Sequence, residues 1–194
     1  MTNTGARWWA WCAAASVLTA DLGSKAWASQ YVSEGPGPAA IGGLVRLRRV
    51  SNPGASFGLG DLHPFVVTAL AVLGTAGVAW WLTRTMTAGE RIAIGVVLGG
   101  AMGNLLDRVA QGAVTDWMQV AWYPAAFNLA DFCIRGGIVA ALTLRLLHSR
   151  SSGQEATTEG RRAGLRRQRV PVDGHRGGTG VHGGQHHPPD DHEQ

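Results

Sequence analysis

The chain has 194 residues, a net charge of +4 and two cysteines without metal or redox spacing, so a disulfide framework is excluded. Its mean hydropathy of +0.02 averages two unlike parts: residues 149–194 hold seven Arg, six acids, five His and nine Gly, whereas residues 1–148 hold long apolar runs. The tail cannot bury a core, the body has a membrane protein's composition, and its scattered bases argue against a nucleic-acid partner.

A bilayer core of about 30 Å takes roughly 20 apolar residues in helical form. Four runs approach that length, over residues 8–27, 64–82, 92–109 and 125–147. The first follows Arg7 and taken alone reads as a cleaved signal peptide, but three further runs weigh against that. Indole prefers the headgroup boundary, and the eight Trp mark it: Trp8, Trp9 and Trp11 open the first run and Trp27 closes it, Trp80 and Trp81 close the second, and Trp117 and Trp122 follow the third. Lys and Arg in short loops set orientation. With both termini inside, seven Arg lie on the cytoplasmic side against Lys25, Arg46, Arg48 and Arg49 outside.

Between the first two runs, Gly35 to Pro38 mark a turn and residues 44–50 (LVRLRRV) alternate imperfectly, as in a short strand. The stretch from Gly112 to Pro124 is expected to be a loop on the same outer side. No internal repeat of 20 to 50 residues is evident, which weighs against solenoids and two-halved transporters. The tail, residues 149–194, is expected to be disordered, its His182–His192 cluster a solvated terminus rather than a metal site.

Four acids, Asp21, Asp107, Asp116 and Asp131, lie within or at the ends of the apolar runs, where a carboxylate costs about 2.5 to 3.5 kcal/mol near the bilayer centre. The topology brings them to one level on the outer side, with Asn52, Asn104 and Asn128 supplying amides to hold them. Asp21 and Lys25 are spaced i, i+4, as are Asn104 and Arg108, and Asp107 adjoins Arg108. Those pairings give Asp21 and Asp107 structural roles. Asp116 and Asp131 have no adjacent cation except Arg135 and are the catalytic candidates, with a helix cap or an Arg135 salt bridge as their alternative role. Gly95, Gly99 and Gly103 line one face of the third helix and read as close packing. The Gly-rich segment 52–60 (NPGASFGLG) lacks the Lys and Ser/Thr of a phosphate-binding loop.

These residues resemble the lipoprotein signal peptidases (type II), small four-span aspartic peptidases of bacterial membranes. Four segments match in order: residues 21–25 (DLGSK), 51–58 (SNPGASFG), 103–117 (GNLLDRVAQGAVTDW) and 127–131 (FNLAD). The resemblance covers about residues 8–148. It implies an all-α integral membrane protein of four transmembrane helices, with a small β-sheet and loop region on the outer face between the first two helices. The implied activity removes the signal peptide of a diacylglyceryl prolipoprotein just before its lipidated Cys, in the bacterial cytoplasmic membrane near the outer leaflet. The family's catalytic dyad maps onto Asp116 and Asp131, and its supporting positions onto Asp21, Lys25, Asn52, Asn104, Asp107, Arg108 and Asn128. Prolipoprotein substrates, membrane lipid and globomycin-type inhibitors are the implied partners.

Two carboxyls within reach of one water share a single proton, so one acts as base and the other as acid, with no metal or other cofactor. The chain departs from the family at Pro53, at Ser56, in the short connection from Asp116 to Asp131, and at Arg135, a cation deep in the fourth run that is expected to face a polar group away from the dyad. The alternatives are a small ion-coupled transporter using the same acids, or an inactive membrane protein that binds acylated clients.

Overall fold

The computed structural model describes residues 3–35, 37, 39–40, 42–54, 63–84 and 86–168. In chain order they form α1 (Asn3–Tyr31), β1 (Ala39–Ala40), β2 (Val45–Asn52), α2 (Pro64–Trp81), α3 (Ala88–Gln111), β3 (Val114–Val120), β4 (Ala126–Phe127) and α4 (Leu129–Gln168). Two compact units are defined, Met1–Ser152 and Gly153–Gln194. The first contains the helices and sheet discussed below; of the second, residues 153–168 are helical.

The apolar runs lie in long helices except for residues 125–128, which include β4, so the fourth helix starts at Leu129 and not at residue 125 as its run suggested. Of these helices, α2 and α3 are apolar and long enough to cross a membrane by length and composition. Their surroundings differ. α3 buries Ala93, Ile94, Val97 and Leu98 as the central helix, while α2 leaves Phe65 75% and Leu73 68% exposed. An aqueous protein would not display so many large apolar side chains on one helix; a lipid surface accepts them.

Helix boundaries follow local chemistry. Pro64 sits at the first turn of α2, where its missing N–H is no loss. α3 opens on a capping box in which Thr87 accepts from the Glu90 N–H and the Glu90 carboxylate accepts from the Thr87 N–H. It closes on Gly112, whose φ of 75° no β-branched residue would adopt.

Close packing comes from bare glycines. A β-carbon on Gly95 or Gly99 would strike the Ala10 or Ala14 carbonyl of α1, and one on Gly100 or Gly137 would strike the facing helix of the α3–α4 pair. The glycine stripe therefore packs α3 on α1, as its spacing implies.

Three further expectations need correction. Residues 114–120 are strand β3, not loop: Val114, Thr115, Trp117 and Val120 are β-forming, but Asp116 and Trp117 both break the alternation. The sheet accordingly has four antiparallel strands in the order β1-β2-β3-β4, with β2 starting at Val45 and running on to Asn52. α1 extends past Trp27 to Tyr31, and α4 past Leu147 to Gln168, because an apolar run marks the part suited to lipid and not the end of the backbone ladder. Residues 149–168, expected to be disordered, are thus helical: Gln, Glu, Ala, Leu and Arg propagate a helix already nucleated by the apolar stretch. The His182–His192 cluster, Ser56, Pro36 and Pro38 lie outside the described residues.

Candidate active site

Strand β3 leaves α3 directly at the Gly112 turn, so Asp107 on the last turns of α3 and Asp116 on the strand stay close. In the β2–β3 register Val50 lies opposite Asp116. Asn52, two residues along the same face, reaches diagonally, and its Nδ2 donates to Asp116 Oδ2 at 2.9 Å. Trp117 packs edge-to-face on Trp27 of α1, with centroids 5.6 Å apart, which ties the strand to the first helix.

The fourth helix arrives through residues 127–131. Asn128, immediately before α4, is fully buried. Its Oδ1 accepts from the Asp131 N–H at 3.0 Å while its own N–H donates to Asp131 Oδ2 at 3.4 Å, the reciprocal arrangement of a capping box with Asn and Asp in the two roles. The same Asn128 turns its Nδ2 to Asp116 Oδ1 at 2.7 Å and to Asn104 Oδ1 at 3.1 Å. Asn104 Nδ2 in turn donates to Asp131 Oδ1 at 3.0 Å. Two carboxylates from a strand and a helix are thereby held through one residue. The cap alternative for Asp131 is realised together with its place beside Asp116; the Arg135 salt bridge is not formed.

A second layer fixes the amides. Lys25 Nζ lies 2.7 Å from Asp21 Oδ2 and 3.2 Å from Asp107 Oδ2, and donates to Asn104 Oδ1 at 2.8 Å. Asp21 Oδ1 accepts from the Ala130 N–H at the start of α4, and Asp107 Oδ2 from the Thr115 N–H in β3. Arg108 donates to the carbonyls of Asn104 and Gly54. The cation paired with Asp107 is therefore Lys25 rather than its sequence neighbour Arg108.

All nine residues selected from the sequence form this one network. Sequence reasoning missed the backbone groups of Thr115, Ala130 and Gly54, since any residue type supplies an N–H or a carbonyl. It also missed why Gly103 is bare: a β-carbon there would land on the Asp21 carboxylate. The glycine spacing was a signal for close approach but not for what approaches.

Burial pushes the Asp116 carboxyl up to about 6; the Asn52 hydrogen bond opposes this, the Asp131 charge adds to it, and Asn128 and Lys25 oppose it. A carboxyl that holds its proton up to about pH 6 beside a second carboxyl can donate a hydrogen bond while its neighbour accepts a proton.

Fold and site define a class: a helical protein with an apolar exterior that gathers paired carboxylates at one end of its helices. A family model described as signal peptidase (SPase) II matches residues 13–147. A lipoprotein signal peptidase of Mycobacterium avium (strain 104) is 33% identical over 155 residues, covering 77% of this chain and 82% of its own. Another, of Bifidobacterium longum (strain DJO10A), is 35% identical over 142 residues, covering 70% of this chain and 75% of its own. The fold is similar to that of a bacterial membrane enzyme solved by the in meso method, with a TM-score of 0.63 at 21% identity over 74% of this chain and 90% of that one. The chain belongs to the signal peptidase II family.

Proposed function

We propose that the chain is an aspartic endopeptidase that removes signal peptides from diacylglyceryl-modified prolipoproteins, cutting just before the lipidated Cys. Residues 1–148 act as the peptidase domain. It is a four-span bundle in a bacterial cytoplasmic membrane, with both termini inside and the carboxylates near the outer leaflet, where globomycin-type inhibitors and the substrate's acyl chains enter. The observation that carries this reading is the joint hold of Asn128 on Asp116 and Asp131, in a chain whose relatives are lipoprotein signal peptidases.

In the reaction Asp131 takes a proton from water as the water oxygen attacks the scissile carbonyl. Asp116, protonated, donates a hydrogen bond to the carbonyl oxygen and helps the nitrogen leave with a proton. The new carboxyl end belongs to the released signal peptide and the free amine to the lipidated Cys. Asn52 and Asn128 orient Asp116, Asn104 orients Asp131, and Lys25 with Asp21 and Asp107 keeps the amides in place.

Asp116→Asn tests this in purified membranes. Conversion of diacylglyceryl prolipoprotein to its mature form is expected to fall by about a hundredfold or more while the precursor still binds. An Asn variant that matures the precursor at the normal rate overturns the proposal.

A further inference from the structure

Arg135 is a charged residue of the fourth apolar run that neither the network nor the chemistry above employs. A groove of about 340 Å³ between α2, α3 and α4 has apolar walls from Val78, Val97, Ile134 and Ile138, and takes in Asn104, Arg108, Asp131 and Arg135. Arg135 is exposed and, among the described residues, makes no hydrogen bond or ion pair. It therefore does not turn to a polar partner away from the dyad, as the sequence suggested, but lines the groove that Asp131 also lines.

The groove sets a constraint on whatever fills it. A guanidinium stays charged and carries five N–H donors with no acceptor. While the groove is open, water reaches it. An apolar peptide segment entering beside Asp131 expels that water, and an unpaired cation left in apolar surroundings is strongly penalised. Escape along the helix is limited, because side chains lean toward the N-terminus of their helix, here toward Asp131. The occupant has to bring an acceptor.

Arg135 lies one turn along α4 from Asp131, a rise of about 6 Å, which a peptide spans in about two extended or four helical residues. A signal peptide keeps its charged start inside and crosses with its apolar run, so residues preceding the cut run inward, as Arg135 does from Asp131. We propose that Arg135 is a specificity-determining residue, selecting signal peptides that carry a hydrogen-bond acceptor side chain about two to four residues before the scissile bond. This rests on the peptidase reading.

The test uses the full chain in lipid nanodiscs and synthetic diacylglyceryl lipopeptides in which Leu or Gln occupies, in turn, the second, third or fourth residue before the cut. Wild-type protein is expected to favour Gln over Leu at one of these positions by roughly tenfold in kcat/KM, mostly through KM, as a charge-assisted hydrogen bond would. Arg135→Leu is expected to reverse the preference and Arg135→Lys to keep part of it. Equal Gln/Leu ratios in wild type and Arg135→Leu overturn the proposal while leaving the peptidase intact; a wild-type protein that cuts none of the lipopeptides overturns the peptidase reading and this proposal with it. The series is run in zwitterionic and in anionic nanodiscs. If Arg135→Leu lowers cleavage of every lipopeptide alike, and only where anionic lipid is present, the guanidinium serves a lipid phosphate and the proposal fails.

Discussion

Asp116 carries the titration on which the proposed chemistry turns. Its carboxyl is raised to about 6 chiefly by burial, against an ordinary Asp value near 3.9. kcat/KM reports the free enzyme, so cleavage is expected to decline as pH rises past about 6, where Asp116 loses the proton it must donate. The observed midpoint belongs to the Asp116–Asp131 pair. Stability follows from the same shift. Between about pH 4 and about 6 the folded protein holds a proton that the unfolded chain has released, so stability falls as pH rises through that window and levels off above it. Asp116→Asn has no such slope: Tm measured in detergent is expected to gain on wild type from pH 4 to pH 6, and parallel curves would contradict the buried, proton-holding carboxyl. Asn128 is the other residue whose loss is sharply read. Asn128→Ala leaves the Asp116 carboxyl short of a donor and the Asp131 N–H without its acceptor, and about 1 to 3 kcal/mol of stability is expected to go together with activity, checked by denaturation and cleavage on the same sample.

The elements are arranged to bring these side chains to one level. Gly112 turns the chain from α3 into β3, β2 carries Asn52 to the diagonal of Asp116, and Asp21 holds the first N–H groups of α4 through Ala130. Gly103→Ala would thrust a β-carbon into Asp21. The α1–α3 contact then has to open, and loss of both thermal stability and cleavage is expected, whereas Gly23→Ala, where a β-carbon meets open space, is expected to leave both unchanged. Lys25→Met strands two buried carboxylates, and removing one partner of a buried pair typically costs about 3 to 5 kcal/mol; a variant as stable as wild type would show that the ion pairs contribute little. Much at this scale was legible beforehand. The apolar runs gave the cores of all four helices, and i, i+4 spacing gave Lys25 to Asp21. Strand β3 was not legible, since Asp116 and Trp117 both break the alternation, and the Asp107 partner was not, since Lys25 meets it across two helices.

At the scale of the whole molecule, the Met1–Ser152 unit buries the polar side chains of the site and turns large apolar ones outward. Large side chains on α2 and α4, among them Phe65, Leu73, Val139 and Leu146, are more than half exposed, while Asp21, Lys25, Asn104, Asp107, Asp116, Asn128 and Asp131 are buried. That inversion suits a lipid environment, in which buried polar groups must satisfy one another. The nine residues of the candidate site all belong to the Met1–Ser152 unit. Deleting residues 153–194 is therefore expected to leave lipopeptide cleavage unchanged, which an assay of the truncated protein alongside the full chain would check.

The amino-acid sequence by itself determined which residues gather at the candidate site, because acids and amides at lipid depth are too costly to keep without a use, and their order along the chain matched a family. What only the tertiary structure decided is who holds whom: that Asn128 serves both carboxylates, that Lys25 bridges Asp21 and Asp107, and that Arg135 lines the groove without a partner among the described residues. Those facts depend on distances between side chains from separate elements, and on backbone N–H groups that every residue type presents alike, so no one-dimensional pattern encodes them.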